Sequence, residues 1–101
     1  MFSRNKKGRK MVMVYLDTKD SILLKSNDRT FQVLYYVLKQ TSFETNIWYA
    51  DKVNKEYIKN KLGISTPALD KHIASLKERD FIRPAEVRGR YRINLELLST
   101  N

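Results

Sequence analysis

The spacing of apolar residues divides the chain into helical and extended stretches. Phe31, Leu34, Tyr35 and Leu38 fall at i, i+3, i+4 and i+7, one face of a helix predicted over residues 29–42, with Asn27 or Asp28 as its N-cap. Leu69, Ile73 and Leu76 repeat that spacing further along, predicting a second helix whose stripe faces a core. Just before it, Asn54 has the chemistry of an N-cap, Val53 is placed to staple onto Ile58, and Gly63 supplies the left-handed residue that ends a helix. Ser65 can cap the next helix, Ile64 can staple onto Leu69, and Pro67 lies in the first turn, where its missing N–H costs no helical bond. Two helices therefore meet at Leu62-Gly63-Ile64-Ser65.

Extended segments surround these helices. Tyr91, Ile93 and Leu95 alternate with Arg90, Arg92 and Asn94, and Ile82 to Glu86 reads as the partner strand of a hairpin turning at Val87-Arg88-Gly89-Arg90. Gly89 is the natural positive-φ residue of that turn. Ile47-Trp48-Tyr49 fits a short strand with Trp48 anchored in the core. Met11 to Leu16 is a compact apolar run, read as a strand, and Ile22 to Leu24 fit either a helical turn or a second strand. Leu97 and Leu98 suit packing on the body or on another subunit. The order strand, helix, strand, helix, turn, helix, strand, strand is an α+β plan. Apart from the early strand, it is that of a winged helix-turn-helix: a trihelical core with a small antiparallel sheet and a C-terminal β-hairpin wing. Residues 11–101 would form this domain behind a flexible basic tail, residues 1–10.

Charge gives the plan a direction. The 101 residues carry a net charge of +9 and no cysteine. Disulfides, thiolate metal sites and cysteine nucleophiles are thereby excluded. Arg4, Lys6, Lys7, Arg9 and Lys10 stand in the tail with no acid, residues 11–50 balance, and the excess returns around the second helix pair and hairpin. That layout suits a polyanion and salt-sensitive binding by counterion release. The tail fits either a phosphate or minor-groove arm or a solubilising segment. The apolar runs are too short to span a bilayer and no signal peptide is evident, so the chain reads as soluble and intracellular, with no membrane partner.

On the helix after Gly63, the side away from the apolar stripe carries Pro67, Lys71 and Ala74, flanked by Asp70 and Ser75. It is slim at its N-terminal end and cationic at Lys71, a shape that enters a major groove with its early residues against base edges. The expected DNA-binding set is Ser65, Thr66, Pro67, Asp70, Lys71 and Ser75 on the helix, with Arg88, Arg90 and Arg92 on the wing. Asp70 reads either as an acceptor for a cytosine amino group or as an acid limiting non-specific affinity. An enzyme is not expected. His72, the single histidine, suits packing or a phosphate hydrogen bond, and neither a Walker glycine loop nor an acid pair with catalytic or metal-binding spacing occurs, so no cofactor or metal is predicted.

The segments MVMVYLD, IWYADKVNK, KLGIS, ALDKHIASLKERDFI and RGRYRINLEL together touch nearly the whole chain after Lys10. In them the chain resembles the RepL-type replication proteins of small bacterial plasmids and phages. The helix-turn-helix portion is shared with many regulators; the early strand and the Gly89, Tyr91, Asn94 ending point to this family. The resemblance implies binding to an origin on the protein's own replicon in the bacterial cytoplasm, with host replication proteins as further partners. Lys71 stands where winged-helix regulators often carry a groove-facing arginine and, lacking the fork, would make a phosphate or single guanine contact. Asp80 occupies the usual glycine after the recognition helix, Leu95 replaces a proline, and Glu86-Val87 a more glycine-rich wing entry. Transcriptional regulation is the near alternative, and a protein-interaction winged helix recruiting replication machinery is another. RNA is disfavoured because a slim helix suits the wide major groove of B-DNA. Two-fold sites would favour a homodimer, which no heptad or exposed apolar face in the sequence requires.

Overall fold

The computed structural model describes residues 22–42 and 44–94. The strand expected over Met11 to Leu16, the basic tail, Leu95, and Leu97 with Leu98 lie outside them. Among the described residues the chain is a small α+β domain of four helices and one three-stranded antiparallel sheet, compatible with the winged-helix expectation. The short stretch at Ile22–Lys25, open between helix and strand in the sequence, is a helical turn, α1, and its Leu23 is buried.

Helix α2, Arg29–Gln40, begins where the Asp28 side chain accepts from the Thr30 amide at 2.9 Å. It ends at Thr41, whose hydroxyl donates to the Val37 carbonyl at 2.6 Å. Its buried stripe is rotated from the expected one. Val33, Leu34, Val37 and Leu38 are fully buried, whereas Phe31 and Tyr35 lie at the margin of the core. Strand β1, Ile47–Tyr49, inserts Trp48 fully into the core, and its indole N–H donates to Gln40 Oε1 at 2.8 Å. A buried Trp needs such a partner, and Gln40 supplies it from the last position of α2.

Helix α3, Lys52–Leu62, starts earlier than the sequence suggested. Asp51 is the N-cap, accepting from the Asn54 amide at 2.8 Å, while Asn54 turns its side-chain amide back to the Tyr49 carbonyl at 2.7 Å. Val53 is 77% exposed and staples nothing. Ile58 is the helix's single buried residue. Gly63 ends α3 at φ +64°, as its position predicted. Helix α4, Thr66–Glu78, is capped by Ser65, whose side chain accepts from the Ala68 amide at 3.3 Å, and buries Leu69, Ile73 and Leu76. After it Asp80 adopts φ +65° in place of a glycine. This conformation costs a non-glycine residue least when it is Asn or Asp, and Asn94 donates to the Asp80 carbonyl at 2.8 Å across the turn.

Strand β2, Ile82–Pro84, is shorter than expected because the connection takes up residues 85–89, with Gly89 at φ +82°, whereas strand β3, Arg90–Ile93, begins one residue earlier than expected. The sheet order is β1-β3-β2, so β3 bonds to both neighbours. Trp48 lies opposite Tyr91 with ring centroids 5.9 Å apart, and Ile82 lies opposite Ile93. Those side chains close the core against α2 and α4.

Candidate nucleic-acid interface

The two flanks of α4 are committed differently. Toward α2, His72 Nδ1 lies 2.9 Å from the Thr30 hydroxyl, and beyond the helix end Arg79 pairs with Asp28 at 2.8 Å. Burial, the largest cause, holds the His72 pKa below its ordinary value, and the charges of Arg29, Lys71 and Arg79 add to this while Asp28 opposes it. Thus His72 packs. Ser75, one turn on from His72, is half-buried on the same flank.

The outward face runs from Thr66 and Pro67 through Lys71 to Ala74, all exposed. Lys71 makes no ion pair among the described residues. This is the slim, singly cationic surface expected from the sequence. Ser65 is exposed at the start of the helix but has its oxygen engaged by the Ala68 amide.

Toward the hairpin, Asp70 is held by Lys55 of α3 at 2.8 Å. Asp70, Ala74 and Lys77 line a cleft of about 330 Å³ whose other walls are Ala50, Lys55, Ile73, Arg88, Gly89 and Tyr91. The α4 surface and the hairpin turn therefore border one depression. Its placement follows from the backbone: the Ala50 amide donates to the Gly89 carbonyl at 2.8 Å, fixing the turn beside the start of α3.

The three hairpin arginines have different surroundings. Tyr91 points inward, so alternation sends Arg90 and Arg92 to the opposite face of β3. There Arg92 stands directly across from Arg83 of β2, and like charges in that register repel. Each has a carboxylate to offset the repulsion. Glu86 accepts from Arg92 at 2.8 and 3.1 Å, and Asp80 accepts from Arg83 at 2.8 Å through two nitrogens. Glu86 is held below the usual carboxylate range by its own backbone amide and then by Arg92, and Asp80 is held low chiefly by Arg83. Arg90 stacks its guanidinium 4.8 Å from the centroid of the Tyr49 ring. Arg88 alone of the three lines the cleft, exposed at the turn and without an ion pair among the described residues.

Lys55 and Lys77 were missed as site residues. Lys77 had a visible signal, since Asp70, Ala74 and Lys77 follow i, i+4, i+7 along one edge of α4. Lys55 had none, because its approach to Asp70 depends on the crossing of α3 and α4. Among the described residues no cluster of His, Cys, Asp or Glu could hold a metal, and no helix is long and apolar enough to cross a membrane. Comparison with known proteins finds no matching family model, no matching curated protein and no matching solved structure.

Proposed function

We propose that the chain is a winged helix-turn-helix protein that binds double-stranded DNA by sequence, with α4 as the recognition helix and the β2–β3 hairpin as the wing. One observation carries the reading. The exposed edge of α4 and the arginine-bearing hairpin turn border the same cleft, so a groove-reading helix and a backbone-gripping turn can meet one duplex from one side. Thr66, Pro67 and Lys71 present the narrow start of α4 to base edges, while Arg88 meets the backbone. The excess of cations over acids suits the phosphate charge.

Replication initiation on a bacterial plasmid or phage is the finer proposal, supported by the resemblance to RepL-type proteins. Purified full-length protein is mixed with sheared DNA from its own replicon at physiological salt, and the retained fragments are sequenced. A single focus at an origin is expected. Enrichment at promoters would replace initiation by transcriptional regulation, and absence of any focus would refute sequence-specific binding. Lys71→Ala should lower retention at the focus more than elsewhere if Lys71 reads a base, and everywhere alike if it contacts phosphate.

A further inference from the structure

The cleft between α4 and the hairpin brings together cations from three elements that the sequence keeps far apart. Lys55 comes from α3, Lys77 from α4 and Arg88 from the turn, and Asp70 is the one carboxylate among the lining residues. Lys77 is not neutralised by an acid there; its ammonium lies 5.6 Å from the centroid of the Tyr91 ring, which also lines the cleft. Lys55 has its side chain 27% exposed and is turned to Asp70. Ala50, Ala74 and Gly89 contribute small residues to the same lining.

Three cations that line one cleft with a single carboxylate repel one another, and a shared anion lowers that cost. A phosphate offers several strong acceptor oxygens and draws charge-assisted bonds from Lys and Arg together. At about 330 Å³ the cleft is at the lower end of small-ligand sites and has room for a phosphate with the sugar attached to it.

We infer that this cleft is a seat for a single phosphate group, held jointly by Lys55, Lys77 and Arg88. Asp70 is its built-in competitor: it holds Lys55 while the seat is empty and releases it when the phosphate arrives. The phosphate can come from a DNA backbone or from a free phosphorylated compound. Its assignment to the backbone rests on the DNA-binding reading above, whereas the seat itself does not.

Two measurements on the full chain separate these. In the first, inorganic phosphate is titrated at constant ionic strength into isotope-labelled protein while amide resonances are followed. Saturable shifts should be confined to the amides around Ala50, Ala74, Lys77 and Gly89. They should strengthen at lower phosphate in Asp70→Asn and vanish in the Lys55→Gln, Lys77→Gln double variant. In the second, the salt dependence of duplex binding is compared between wild type and a variant with Lys55, Lys77 and Arg88 all replaced by Gln. One shared phosphate predicts that the slope of log K against log salt falls by about 0.9 for all three changes together. Three separate phosphates would lower it by about 2.7, and that result overturns the shared seat. Phosphate shifts in the cleft without duplex binding would keep the seat and sink the DNA reading. Duplex binding with an unchanged slope, together with no saturable shifts or equal shifts at Lys39 and Lys61, would sink the seat and keep the DNA reading.

Discussion

Ile58 is the residue on which the attachment of α3 depends, and its truncation can be worked out in advance. It is fully buried and is the only buried residue of that helix. Ile58→Ala removes three carbons, worth about 2.4 kcal/mol at roughly 0.8 kcal/mol per buried methylene. The cavity they leave adds to this, since Leu69 and Leu76, also fully buried, belong to the same core and cannot collapse freely. A total of about 3 to 4 kcal/mol is expected, within the usual range for such truncations. For a domain of this size each kcal/mol moves Tm by roughly 4–8 °C, so a fall of about 12–32 °C should follow. The single tryptophan, Trp48, is fully buried and gives the optical signal for urea unfolding. Because so large a loss could leave no folded protein, Ile58→Val is measured beside it and should cost about 0.5–1.5 kcal/mol. Val53→Ala is the internal control: at 77% exposure it should stay within about 0.5 kcal/mol. An Ile58→Ala cost below about 1 kcal/mol, or an equal cost for Val53→Ala, would mean that Ile58 does not anchor α3.

Three further outcomes follow from the same contacts. Asp51→Ala removes the cap of α3 and should cost about 1 kcal/mol in urea unfolding; a change near zero would return the cap to another residue. Arg92→Ala should change duplex affinity by no more than about twofold, because alternation along β3 puts Arg92 on the face opposite Tyr91, which lines the cleft; a tenfold loss by fluorescence anisotropy would put Arg92 on the DNA. Burial favours neutral His72 in the folded state, so the unfolded chain takes up its proton first as pH falls. Stability should therefore begin to drop below about pH 6.5 and go on dropping toward the lower pKa of the folded histidine. The urea midpoint of His72→Gln should lack that segment, and a wild-type midpoint that is flat from about pH 7.5 to 5.5 would contradict it.

Much of the backbone was readable because single residues with special geometry mark it. Gly63 and Gly89 both take the positive φ their positions called for, Asp80 does so in place of glycine, and Ser65 caps α4. The start of α3 misled because two residues three apart, Asp51 and Asn54, can both cap, and only the strand before them decides. Asn54 is drawn to the Tyr49 carbonyl, leaving its amide for Asp51. In α2 the β-branched Val33 and Val37 take the core and Tyr35 moves to its edge, where it meets Tyr36 edge-on at 5.2 Å. At the candidate site the face of α4 was legible from helical period alone. The pairing of Arg92 with Glu86, and of Lys55 with Asp70, was not, because each depends on a strand register or a helix crossing.

The order of the sheet also bears on how this protein is born. Strand β3 is the last of the described strands to be synthesised, yet it is the middle one. Tyr91 comes off the ribosome 43 residues after Trp48, its partner across the ladder. Until then, among the described strands, β1 has no neighbour in the sheet and β2 no hairpin. A nascent chain can wind its helices early, but it cannot close its sheet until the hairpin has been translated and released. A polypeptide halted before Arg90 would therefore lack β3 and expose the face of Trp48 that Tyr91 covers.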